Sequence, residues 1–200
     1  MSVINVFLAD DNMVIRRGLR SLLEGEEDIL VVGEASNGLE VVEWVSAHPV
    51  DVVLMDIRMP IMDGVAATAE IRRVRPEVKV LILTVVDEPA TLARAIRAGA
   101  AGCVVYDRLV ATELAQRIRA VAIGDFVSLP SEVVSVLAAS GGDDASDGLG
   151  APLGSLSRRE REILDLIAEG KSNAAIAGHL GIEPKTVKNH ISRLYSKLRI

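Results

Sequence analysis

Aromatic side chains are scarce in this 200-residue chain: two Phe, two Tyr and one Trp. Any core must therefore be aliphatic and Ala-filled, which a 50% hydrophobic content allows. Cysteine occurs once, excluding an internal disulfide framework and fitting a reducing, cytoplasmic compartment. No apolar run approaches the roughly 18 residues that cross a bilayer. The N-terminus lacks the basic segment and apolar stretch of a secretory signal, so no membrane association is expected. His48, His179 and His190 lie far apart with no ligand-like spacing, which argues against a zinc site.

What is present divides unevenly. The net charge is -6, yet residues 153–200 hold nine Lys or Arg against five acids, a balance of +4 that leaves -10 for the rest. An acidic body joined to a small basic tail implies that the tail is the part that meets a polyanion. The length suits one large domain or two small ones.

Up to about residue 123, strand and helix signals alternate with the rhythm of βα units. The spacing predicts strands over 3–9, 29–34, 51–56, 78–84 and 102–106. Helical periodicity lies between and after them, at Ile15, Leu19, Leu22 and Leu23; Val41, Trp44 and Val45; Ala67, Ile71 and Val74; Leu92, Ala95 and Ile96; and Leu114, Ile118 and Val121. The fold class expected is α/β, a flavodoxin-like doubly wound five-stranded parallel sheet of order 2-1-3-4-5, followed by a small all-α domain.

Asp10 and Asp11 end one apolar strand and Asp56 ends another. In parallel sheets, ligands bind outside the carboxyl ends of the strands. Three acids gathered there repel one another unless a cation sits among them. A hard divalent ion such as Mg2+ prefers such oxygens and keeps several waters.

Residues 140–152 are small, acidic and nearly free of bulky side chains, which predicts a flexible tether after a possible short helix over 131–139. Three helices then follow in quick succession. Ser157 and Glu160 form a capping box, and a stop near Gly170 ends the first helix. A second runs from Ser172 or Asn173 to Leu180, closed by Gly181. Pro184 opens the third. Val187, Ile191, Leu194 and Leu198 make an inward stripe on it, leaving Lys185, Lys188, Asn189, Ser192, Arg193 and Ser196 outside. Short helices joined by a Gly-containing turn predict a helix-turn-helix.

These motifs together resemble the NarL/FixJ family of two-component response regulators across essentially the whole chain. Asp10-Asp11, the run Met55-Asp-Ile-Arg-Met-Pro60, Met62-Asp-Gly64 and Thr84 resemble a receiver domain over 1–123. Leu156-Ser-Arg-Arg-Glu-Arg-Glu162, Gly170-Lys-Ser-Asn173 and Thr186-Val-Lys-Asn-His190 resemble a LuxR-type helix-turn-helix over 154–200, with 124–153 as linker. The family usually continues past the position of Ile200 with a fourth helix, so the tail is expected to lack its last helix.

The resemblance implies that Asp56 accepts a phosphoryl group from a sensor histidine kinase. Asp11, Asp56 and the backbone carbonyl of Arg58 would ligate Mg2+, with Asp10 acting through water. Thr84 would be the switch residue that contacts the acyl phosphate. In the tail it implies double-stranded DNA as partner, bound by a homodimer. Lys188 and Asn189 would reach base edges, with Ser192 and Arg193 close by. Lys171, Ser172, Asn173, Lys185 and Thr186 would meet the sugar-phosphate backbone.

Two departures stand out. The family's Lys at the end of the fifth strand is replaced by Tyr106, whose phenol is neutral near pH 7. The family's switch aromatic three residues earlier is replaced by Cys103. An atypical receiver follows as an expectation, one that signals weakly or not at all through phosphorylation; the alternative to a phosphorylated regulator is a DNA-binding regulator controlled by a ligand or protein partner at the receiver. A lone Cys in an apolar strand reads as a small core residue, with a redox sensor as the alternative. A small-molecule phosphotransfer enzyme is disfavoured, because no dedicated general acid or substrate-sized insertion accompanies Asp56.

Overall fold

Alternation along each strand decides which helices cover which face of the sheet. A computed structural model of the chain describes residues 3–84, 89–105, 111–124, 129, 133, 136–137, 157–168, 171 and 173–198; within these, the side chains of Val105, Ala111, Leu164, Ala168, Lys188, Ser192 and 195–198 lie outside the description. The strands are β1 (Ile4–Ala9), β2 (Ile29–Ala35), β3 (Val52–Asp56), β4 (Lys79–Thr84) and β5 (Gly102–Val105). They pair in parallel in the order β2-β1-β3-β4-β5, the order expected. The helices between and after them are α1 (Met13–Leu23), α2 (Gly38–Ala47), α3 (Gly64–Val74), α4 (Pro89–Arg97) and α5 (Ala111–Ala122).

Phe7, Ala9, Val53, Met55, Val80, Ile82 and Cys103 point to one face, where Val41, Val45, Ala67, Ile71, Leu92 and Ile96 of α2, α3 and α4 cover them. Val6, Leu8, Val52, Leu54, Leu81, Leu83 and Val104 point to the other, under Leu19 and Leu23 of α1 and Leu114, Ile118 and Val121 of α5. Each fully buried aliphatic side chain contributes roughly 1.5–3 kcal/mol, so these two layers dominate the stability. One apolar strand residue is left uncovered at the sheet edge. Leu30 on β2 is 53% exposed, because an edge strand has a neighbour on one side only.

Two of the scarce aromatics meet: Phe7 and Trp44 pack in a tilted arrangement with ring centroids 4.8 Å apart. At the opposite end of the sheet from the acids, Arg119 of α5 bonds Asp28 and Glu26, just before β2. Among the described residues no helix is long and apolar enough to cross a membrane.

The tail holds α6 (Arg158–Ala168), α7 (Asn173–Leu180) and α8 (Pro184–Leu198). The capping box is present in both directions: Glu160 N–H donates to Ser157 Oγ at 3.2 Å, and Ser157 N–H to Glu160 Oε2 at 2.7 Å. Arg159 donates to the Leu180 carbonyl at 2.9 Å, tying α6 to the end of α7. Gly181, at φ +63°, supplies the left-handed stop. Ile163, Leu166, Ile167, Ile176, Ala177, Val187 and Ile191 form a separate small core. Leu194 is equally buried but groups with Leu129 and Val133 in the larger cluster, so the inward stripe of α8 serves two cores rather than one. Leu198's side chain, Gly170 and Ser172 lie outside the described residues. Of the short helix expected over 131–139, Val133, Val136 and Leu137 are described and helical.

Two glycines should answer substitution by alanine with opposite signs. A Cβ at Gly64 would collide with the backbone carbonyl of Asp56, whereas nothing lies within 4 Å of one at Gly18, inside α1. Urea unfolding should show Gly64→Ala destabilised by about 3 kcal/mol and Gly18→Ala stabilised by about 0.5–1 kcal/mol.

Candidate functional site

Strand register builds the acidic site. Ala9 on β1 is the Cα partner of Met55 on β3, so the next residues, Asp10 and Asp56, emerge side by side at the carboxyl ends of neighbouring strands. Asp11 follows at once. One oxygen from each of the three carboxylates lies within 4.8 Å of the others. Asp10 is 2% exposed, Asp56 is half-buried and Asp11 faces solvent.

Short local bonds hold each acid. Asp10 Oδ1 accepts the Asn12 N–H at 2.8 Å, and Asn12 Oδ1 accepts the Val14 N–H at 2.9 Å, capping α1. The acidic turn and the helix start are thus one unit. Arg16, a turn into α1, donates Nη1 to the Asp10 carbonyl at 2.5 Å and Nε to Glu34 at 3.2 Å. Arg20 donates to the other Glu34 oxygen at 2.6 Å. On β3, Asp56 Oδ2 accepts the Arg58 N–H at 3.0 Å.

Beyond Asp56 the chain turns sharply. Met62 N–H donates to the Pro60 carbonyl at 2.7 Å, closing a three-residue turn around Ile61, whose φ is +66°. Such turns are rare and strained, more so for a β-branched residue. Three neighbours enforce it. Gly38 N–H bonds the Met62 carbonyl at 3.0 Å and Gly64 N–H bonds the Ile57 carbonyl at 2.9 Å. Asp63 Oδ1 accepts the Ala66 N–H at 2.7 Å, capping α3.

Burial, and then the Asp10 carboxylate beside it, push the Asp56 carboxyl up to about 6; the Ile57 and Arg58 amides oppose this, and Asp11 adds to it. The cluster thus disfavours a third charge, which suits a guest cation. Three carboxylate oxygens this close are a donor set of the type that a hard divalent ion such as Mg2+ prefers. Glu34 differs. Burial raises its carboxyl, but hydrogen bonds from Arg20 and Arg16 outweigh that and hold it below the usual carboxylate range.

Thr84 ends β4, one residue past Leu83, the Cα partner of Asp56, and is half-buried. Its own partner is Val105; the next residue, Tyr106, lies outside the described residues. Cys103 is 2% exposed, and burial pushes its thiol up to about 11. Such a thiol stays protonated and shielded, so the redox-sensor alternative finds no support and Cys103 packs as a core residue.

In the tail, Val187 and Ile191 are buried while Lys185, Asn189 and Arg193, spaced four apart, are exposed on one face of α8. Lys188 and Ser192 belong to α8 without described side chains. Asn173 opens α7 and Thr186 sits in the first turn of α8, both half-buried, as is Lys171.

Sequence reasoning missed Arg16, Glu34 and Gly38, and named Gly64 only as part of a motif. Arg16 and Arg20 are spaced i, i+4 on α1, a readable signal that they share a face. Nothing local announces Glu34, because its partners come from another element.

Residues 6–119 match the response regulator receiver domain family, and residues 154–200 match the luxR family of bacterial regulatory proteins. The chain is 38% identical to response regulator UvrY of Escherichia coli over 99% of its length and 89% of that protein's. It is 39% identical to the transcriptional regulatory protein LiaR of Bacillus subtilis, covering 99% and 92%. A structure of two RcsB dimers bound to two parallel DNAs is similar at a TM-score of 0.61 and 26% identity, covering 100% of this chain and 93% of that one.

The raised Asp56 carboxyl makes a signed prediction. An acid that holds its proton more tightly when folded lowers stability as pH rises from about 4 through about 6, in the absence of a cation. Removing the charge in Asp56→Asn should flatten that slope and, in EDTA at pH 7, raise stability by about 1 kcal/mol after discounting for solvent, or about 3 °C in Tm. Mg2+ should stabilise the wild type more than the variant. Calorimetric melting across pH 4–8 checks both.

Proposed function

The chain belongs to the NarL/FixJ family of two-component response regulators, and on that premise we propose that it is a DNA-binding transcription regulator whose output is set at Asp56. The observation that carries this reading is the three-carboxylate cluster at the strand ends, in a chain that also matches a luxR-type module. The relatives are regulators, and the chain is read as one rather than as an enzyme. Its receiver spans 1–123, a linker 124–153 and the DNA-binding module 154–200.

In this reading Asp56 takes a phosphoryl group from a phosphohistidine on a sensor kinase. A carboxylate oxygen forms a bond to phosphorus, the P–N bond breaks, and the imidazole leaves with the electron pair and takes up a proton. Asp11, Asp56 and the Arg58 carbonyl hold Mg2+, with Asp10 acting through water. When bound, the ion offsets charge on the phosphoryl oxygens. The Arg58 N–H steadies one Asp56 oxygen at 3.0 Å, which aims the other. Thr84 sits one strand away and offers its hydroxyl to the acyl phosphate.

The output is double-stranded DNA, bound through α8. Lys188 and Asn189 read base edges, flanked by Ser192 and Arg193, while Lys171, Ser172, Asn173, Lys185 and Thr186 meet the sugar-phosphate backbone. The RcsB relative bound to DNA as dimers supports a homodimer on an inverted repeat, with half-sites about one helical turn apart.

A second reading rests on Tyr106 and Cys103. Tyr106 stands where a cation contacts the phosphoryl group in the family, and a neutral phenol donates one hydrogen bond without offsetting charge. Phosphorylation would then couple weakly to DNA binding, leaving a ligand or protein partner at the receiver as the input.

Incubation with Mg2+ and a small acyl phosphate should add one phosphoryl mass to the intact protein and none to Asp56→Asn. Absence of labelling overturns the acceptor role. Labelling with strongly tightened DNA binding would reject the second reading. For the output, Lys188→Ala should weaken specific binding by roughly 1–3 kcal/mol in a gel-shift titration; unchanged discrimination between operator and random DNA removes Lys188 from the contact set.

A further inference from the structure

We propose that Arg16 is a positioning residue for the cation site, acting through the peptide unit that joins Asp10 to Asp11; this rests on the Mg2+ reading above. Arg16 Nη1 donates to the Asp10 carbonyl at 2.5 Å while its Nε donates to Glu34 at 3.2 Å. The side chain is 15% exposed, so the guanidinium is partly shielded from water that would compete for the carbonyl. A peptide unit is planar. Holding the carbonyl of Asp10 therefore places the amide and Cα of Asp11, and with them the point from which the Asp11 side chain leaves the chain.

The other contacts of this unit close the frame. Asp10 N–H bonds the Ala35 carbonyl at 3.2 Å, and its Oδ1 accepts the Asn12 N–H. Glu34 lies next to Ala35 on β2, and Arg20 holds its second oxygen. The acidic turn is thus clamped to β2 by its own backbone from one side and by Arg16 and Glu34 from the other. Glu34 also meets the guanidinium charge, which makes orientation of the turn, rather than neutralisation of the acids, the main role of Arg16. Arg is required chemically: its fork reaches two acceptors at fixed geometry, whereas a Lys ammonium is a point donor.

The test is Mg2+ titration calorimetry on the full-length protein, with the unfolding midpoint in EDTA measured alongside. Arg16→Met keeps the apolar stem and removes the fork. It should weaken Mg2+ binding by about tenfold or more, the usual effect of losing a group that orients a metal ligand. Arg119→Met, which breaks the Glu26 and Asp28 contacts at the far end of the sheet, should lower the midpoint yet leave Mg2+ affinity within about twofold of wild type. Should Arg16→Met not fold, Arg16→Lys keeps the charge but gathers its donors on one nitrogen, losing the fork, and should bind about threefold more weakly or worse. Wild-type affinity in the Arg16 variant overturns the inference alone, as does equal weakening in Arg16→Met and Arg119→Met. A wild type that does not bind Mg2+ overturns the cation reading and this inference together.

Discussion

Three carboxylates within 4.8 Å of one another set the terms for the first module. In an effective dielectric of about 20, two unit charges 4 Å apart repel by about 4 kcal/mol. The chain accepts this because Asp10 and Asp56 extend two strands whose preceding residues are fully buried, and those residues cannot slip register without losing both hydrophobic layers. The sheet therefore forces the acids together. Local amides from Asn12 and Arg58 relieve part of the repulsion, and the remainder appears as the raised Asp56 carboxyl. Such a cluster suits a cation, which would offset the charge that the sheet gathers there.

The strain after Asp56 belongs to the same arrangement. Ile61 holds a backbone conformation that a β-branched residue rarely adopts, and strain of this kind costs of order 1–3 kcal/mol. It persists because α2 and α3 begin against the turn, through Gly38 and Gly64, where side chains would not fit. The segment that carries the acid loop is thereby braced by two helices rather than left as a free connection. In the tail, the capping box and the Arg159 contact with Leu180 brace α6 against α7, and the small core beneath α8 leaves a polar face outward.

Much of this was legible beforehand. The two periodicities, 2 along strands and 3.6 along helices, placed all five strands within two residues of their ends and each helix about its buried stripe. Strand order was expected by analogy with flavodoxin-like doubly wound sheets, and the structure has that order. The capping box at Ser157 and Glu160 and the stop at Gly181 were readable because caps depend on residues three or four apart. The exposure of Leu30 was not, since an apolar residue in an apolar run carries no local sign that nothing will cover it. Leu194 was read correctly as buried, but its grouping with Leu129 and Val133 joins residues some sixty positions apart, which no local spacing announces.

Residue types and their spacing were enough to establish the alternating sheet, the tail helices and the pairing of acids at strand ends, because these rest on local periodicity and on a parallel sheet's habit of binding at its carboxyl edge. Only the tertiary structure decided the common distance of the three oxygens, the raised carboxyl of Asp56 and the clamp of Arg16 between Asp10 and Glu34. Those depend on register between strands and on side chains reaching across elements, from β1 to β3 and from α1 to β2, which spacing along the chain does not reveal.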